Sequence, residues 1–91
     1  MIAFAFEQLQ ADDKPQALTE KLYGAEVQKA FITSEGNCRY RYDGGNPDKE
    51  TGHILMDGSF IVLSGIQQIQ MFRFVSCDIA GERLAISYER P

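Results

Sequence analysis

Turn-forming residues cut this chain into pieces too short for long helices, and within most pieces apolar and polar residues alternate. Cys38-Arg39-Tyr40-Arg41-Tyr42 shows the pattern best, with Cys38, Tyr40 and Tyr42 on one side and Arg39 and Arg41 on the other. A period of two belongs to a half-buried strand, because successive side chains of an extended backbone point to opposite faces. The two arginines are then expected to face water or a partner. Ile2, Phe4 and Phe6 alternate with Ala3, Ala5 and Glu7, predicting a first strand with its three large residues on one side. Lys29–Ser34 reads as a strand, as does Gln70–Cys77 with Phe72 and Phe74 on its core face. Leu84, Ile86 and Tyr88 line one face of a last strand.

The punctuation is equally informative. Gly36-Asn37 is a turn signal, and Asp57-Gly58 between two apolar runs is the strongest short-range hairpin signal in the chain. Phe60 to Leu63 is continuously apolar, which suggests cover on both faces. Asp43–Gly52, DGGNPDKETG, is a loop long for a hairpin connection and therefore a candidate contact element. Gln16–Tyr23 has Leu18 and Leu22 at helical spacing and Gly24 to stop it, so any helix there is short and held by packing. Ile66–Gln70 reads as a linker, and Asp78–Glu82 with Gly81 as a turn. The sum is a mainly β fold, a small antiparallel sandwich or barrel of six to seven short strands with at most one short helix. Residues 1–28 form an N-terminal strand and arm, and residues 29–91 the core of a single domain.

At 91 residues the chain makes one domain with a thin core. Apolar residues are 44% and charged residues 24%, ordinary globular usage. A net charge of -4 argues against nucleic acid as a partner, since phosphate contacts need clustered cations. The apolar stretch at Met1 is too short for a membrane span, which leaves the cytoplasm as the expected place of synthesis.

Constellations for chemistry are weak. His53 is the one histidine, and its position after Gly52 fits a turn better than a metal site. Asp43-Gly44-Gly45-Asn46 lacks the Lys-Ser/Thr of a phosphate loop, and Asp43, Asn46 and Asp48 lack EF-hand spacing. No motif asks for a cofactor, and the chain reads as a non-enzyme. Cys38 and Cys77 read as buried thiols, with a disulfide left open. Tyr40, Tyr42 and Tyr88 have polar tips suited to rims and interfaces, so a carbohydrate-binding platform is the alternative reading.

Read in order, Ala30-Phe31-Ile32-Thr33, Arg39-Tyr40-Arg41-Tyr42-Asp43-Gly44, Pro47, Gly52-His53 with Leu55, Gly58, Leu63-Ser64-Gly65, Ile69 with Phe72-Arg73, and Leu84-Ala85-Ile86-Ser87-Tyr88 form a pattern. In that pattern the chain resembles small β-structured proteins of bacteriophage virions, the capsid decoration (cement) or head-tail accessory type, over roughly two thirds of its length. The resemblance implies a structural subunit of the virion. Its partners would be capsid, portal or tail proteins, with self-association in symmetric copies. It implies no catalytic residues. Candidate contact residues are Phe4, Phe6, Arg39, Arg41, Asp43, Asn46, Pro47 and Tyr88.

Overall fold

A computed structural model gives the fold and describes residues 1–77 and 82–91. The chain is mainly β, with two four-stranded antiparallel sheets and two short helices. Its strands are β1 (Ile2–Gln10), β2 (Gln16–Ala17), β3 (Lys29–Glu35), β4 (Cys38–Arg41), β5 (His53–Leu55), β6 (Phe60–Ser64), β7 (Arg73–Ser76) and β8 (Arg83–Arg90). The helices are α1 (Glu20–Tyr23) and α2 (Ile66–Met71). Sheet I has the order β1-β8-β3-β6 and sheet II the order β2-β7-β4-β5.

Period-two alternation places the core. Ala30, Ile32 and Ser34 of β3, Leu84, Ile86 and Tyr88 of β8, and Leu63 of β6 are buried on one face of sheet I. All but the polar Ser34 join Cys38, Leu55, Phe72 and Phe74 from the sheet II side in one apolar cluster, with Tyr23 and Ile69 from the helices. The register Ile61↔Ile32↔Ile86 aligns the inner face of sheet I. Cys38↔Ser76 and Cys38↔Leu55 do the same for sheet II.

The structure corrects several local expectations. The Asp57-Gly58 turn is not a hairpin. β5 belongs to sheet II and β6 to sheet I, so the turn carries the chain between sheets. The Gly36-Asn37 turn does the same between β3 and β4. The two corners are laced together: Gly36 N–H donates to Asp57 Oδ1 (2.8 Å), Asp57 N–H to Asn37 Oδ1 (2.9 Å), and Gly58 N–H to Ser34 O (2.9 Å). A hairpin signal reports that the chain reverses; it does not say which sheet the next strand joins.

Among the described residues, eight strands and two helices replace six to seven strands and at most one helix. Residues 66–71 are helical, not a linker. Ile69 is buried, and Gln68 Oε1 accepts the Ser64 N–H at 2.9 Å, tying the helix back to the end of β6. Leu18 and Leu22 do not share a helical face: Leu18 precedes α1 and is buried, Leu22 is exposed, and Tyr23 enters the core instead. In β1 a register shift between Ala3 and Ala5 marks a bulge. A bulge inserts one residue and changes the side that follows. Phe4 therefore packs against the core, whereas Phe6 points to solvent at 59% exposure. The turn expected at Asp78–Glu82 falls, apart from Glu82, outside the described residues.

Candidate functional site: the outer face of sheet I

The outward set of sheet I is fixed by parity: Phe6, Gln8 and Gln10 on β1, Arg83, Ala85, Ser87 and Glu89 on β8, Lys29, Phe31, Thr33 and Glu35 on β3, and Phe60, Val62 and Ser64 on β6. Pairing assembles them into rows. Phe6↔Ser87↔Phe31↔Val62 is one row, and Gln8↔Ala85↔Thr33↔Phe60 the next. Phe60 is 62% exposed, Val62 47% and Phe31 38%. The rings of Phe31 and Phe60 lie 5.4 Å apart across the strands. An apolar run in β6 thus lacks the two-sided cover expected of it, because β6 is an edge strand and, among the described residues, nothing covers its outer face.

At the ends of these rows sit charges in opposed pairs. Lys29 pairs in register with Glu89 at one end, and Glu35 with Arg83 at the other, where Arg83 Nη2 reaches Glu35 Oε2 at 3.1 Å. The face carries its large apolar side chains in the middle and charges at both ends, and those charges sum to zero.

Phe6 alone of the expected contact residues belongs to this face. Phe4 is half-buried under the Arg90 guanidinium, 5.0 Å from its ring centroid. Tyr88 is fully buried. Its hydroxyl donates to Glu7 Oε2, and the Glu7 carboxylate also accepts from Thr19 N (3.1 Å) and Thr19 Oγ1 (2.6 Å). Burial and that carboxylate push the Tyr88 phenol upward. Tyr88 is thus a core strut, not a contact.

The other expected residues gather on sheet II, at and around the 43–52 loop. Arg39 does not reach outward. Its guanidinium donates to Lys49 O (3.0 Å) and Gly52 O (2.8 Å), pinning the loop back onto the sheet. Pro47 is buried within that loop, whereas Asn46 is exposed. Val75, which parity places on the outer face of sheet II, is buried all the same, and Asp48, Lys49 and Glu50 line the same concavity. The loop covers what alternation alone would leave open.

Arg41 forms a two-point contact with Asp43, at 3.0 and 2.6 Å. With the Gly45 N–H it holds the Asp43 carboxyl at about 2, below the ordinary carboxylate range. Arg41, Asp43, Tyr42 and His53 line a depression of about 270 Å3. Tyr42 and His53 stack at 5.9 Å, and Tyr40 joins them to the buried Phe72 at 5.6 Å. A larger groove of about 800 Å3 runs past Met1, Glu26, Lys29, Gly65 and Arg90, where Arg90 pairs with Glu26 at 3.3 Å. Among the described residues no three His, Cys, Asp or Glu side chains gather to hold a metal ion. Cys38 is a buried, unbridged thiol that burial pushes up to about 11.

Phe31, Phe60 and Val62 were missed as surface residues. The signal that finds them is parity counted from a neighbour: with Ala30 and Ile32 inward, Phe31 must face out. Against these features, no family model matches the chain, and neither a curated protein nor a solved structure matches it significantly.

Proposed function

We propose that this chain is a structural subunit that works through protein–protein contacts, of the phage virion accessory type its sequence pattern resembles, with its two sheets packed as a sandwich. The carrying observation is the exposed apolar rows of sheet I, bounded by the open edges of β1 and β6. Exposed contiguous apolar surface marks interaction sites, because solvation alone selects against it. Unpaired edges add backbone groups able to take a partner strand. The inside of each sheet is committed to the core, which leaves the outer faces and edges for contacts with copies of the chain itself and with capsid, portal or tail proteins.

The test is mass spectrometry of purified virions of the phage whose genome encodes the chain. The expected result is its presence in multiple copies per particle. Absence from mature virions and from assembly intermediates overturns the proposal.

A carbohydrate-binding role is the second reading, favoured by the exposed Tyr42 and His53 rings beside the Arg41–Asp43 pair. Rings stack on the apolar face of a sugar, and a carboxylate and guanidinium meet hydroxyls. A glycan-array signal lost in Tyr42→Ala supports it, and a blank array removes it.

A further inference from the structure

We infer that the partner of the outer face of sheet I is a second copy of this chain, packed face to face about a twofold axis that crosses β3 and β8 at the level of Ile32 and Ile86. The inference rests on the protein–protein reading above and names the occupant of that surface.

The area fits first. Phe6, Phe31 and Phe60, at 59%, 38% and 62% exposure, together with Val62 at 47%, leave about 400 Å2 of apolar side chain open, taking roughly 200 Å2 for a whole ring. A standard interface hides about 800 Å2 per partner, a little over half of it apolar. The patch is therefore about the apolar share of one side of such an interface.

The charges choose the partner. Down β3 the outward residues run Lys29, Phe31, Thr33, Glu35; alongside them on β8 run Glu89, Ser87, Ala85, Arg83. An in-plane twofold axis perpendicular to the strands turns each strand over onto its own copy, reversed. Lys29 then faces Glu35 of the second copy, and Glu89 faces Arg83, each contact occurring twice. On β6 the same operation sets Val62 against Phe60, apolar on apolar, since Ile61 lies at the level of Ile32. Phe31 falls over Thr33, and the small Ser87 and Ala85 of β8 leave room between the flanking rings. A chain of net charge -4 repels its copy at long range, but these four groups sum to zero, so the face itself carries no repulsion. An interface related by a twofold must be self-complementary, and this charge order satisfies that condition. The resulting arrangement stacks two sheets with strands aligned, a preferred packing mode.

The experiment is sedimentation velocity of the full chain from micromolar to submillimolar concentration. The expected species is a dimer. Lys29→Glu and Glu35→Lys each place like charges opposite one another and should raise the dimer Kd about tenfold; the double variant exchanges the signs and should recover most of the loss. Phe60→Asp should abolish the dimer while retaining the thermal melt, since Phe60 is outside the core. A monomer at all concentrations overturns the inference, as does a dimer indifferent to Phe60→Asp or one that the double charge exchange fails to restore. The two proposals fail separately: a chain found in virions yet monomeric sinks only the dimer, and absence from virions sinks the subunit role whatever the dimer does.

Discussion

Replacing Tyr88 by Phe removes one oxygen from the interior and tests whether the inward tyrosine is a strut. The ring stays, so no cavity opens, and its contact with Tyr23 at 5.4 Å is kept. What is lost is one hydrogen bond to the half-buried Glu7 carboxylate. A bond to a charged acceptor contributes about 1.5–3 kcal/mol, and Glu7 keeps its two bonds from Thr19, so its charge is not stranded. Tyr88→Phe should therefore cost about 2 kcal/mol in urea unfolding at neutral pH, with an unchanged denaturant slope. Glu7→Gln should interact non-additively with it, by about 1 kcal/mol or more in a double-mutant cycle. The alkaline limb provides an independent check. Burial first, then Glu7, raises the Tyr88 phenol above its ordinary 10.0. Unfolded Tyr88 loses its proton as pH passes 10 while folded Tyr88 holds it. Its contribution is thus whole below pH 10 and declines as pH rises, at about 1.4 kcal/mol per pH unit. Tyr88→Phe should make the alkaline decline shallower by that amount, leaving the declines due to the raised Cys38 thiol and the raised phenols of Tyr23 and Tyr40. A cost below about 0.5 kcal/mol together with an unaltered alkaline slope would refute the strut.

Arg39→Met should leave the global melt nearly unchanged but speed tryptic cleavage after Lys49 about tenfold, because two loop carbonyls lose their donor and the loop opens locally; an unchanged cleavage rate refutes the pin. Gly36→Ala should destabilise by about 2–4 kcal/mol in thermal unfolding, since a Cβ there would lie 2.4 Å from the Cγ of buried Glu82 at a φ of 92°. Gly58→Ala, also at positive φ but with open space around it, should cost only about 1 kcal/mol, and equal costs would contradict the clash. Cys38 should resist iodoacetamide at pH 8 until the protein unfolds, its thiol being buried and held protonated up to about 11; native-state alkylation at a free-thiol rate would contradict this.

Strand existence was legible because period two survives in single segments such as Cys38–Tyr42 and Leu84–Tyr88. Strand partnership was not. Asp57-Gly58 promised a local pairing, whereas the chain there passes between sheets, and among the described residues only β4 and β5 are sequence neighbours paired in the same sheet. Facing failed where the period broke: the β1 bulge sends Phe4 inward and Phe6 outward, and nothing in IAFAFE announces an inserted residue. The six residues of α2 are too few to show a helical period. Of the contact residues expected, Phe6 lies on the open apolar face. Arg39, Pro47 and Tyr88 proved to hold the molecule together, because a side chain's type does not reveal whether its own chain folds back to meet it.

The exposed phenylalanines of sheet I have a rival explanation within the monomer: cross-strand aromatic pairs stabilise a sheet by about 0.2–1 kcal/mol. Phe31 and Phe60, 5.4 Å apart, fit it. Phe6 does not. It stands on β1, with Ser87 of β8 between it and Phe31, so two strand spacings, about 9–10 Å, separate the two rows of side chains. No ring contact joins Phe6 to Phe31, and the bulge that turns Phe6 outward costs β1 a regular ladder pair. A monomer would do as well with threonine at that position. What gives Phe6, Phe31, Phe60 and Val62 a common purpose is a flat partner that covers both sides of the small outward residues Ala85 and Ser87 of β8 at once, and the alternating charges at the ends of the face match such a partner to a reversed copy of the same surface.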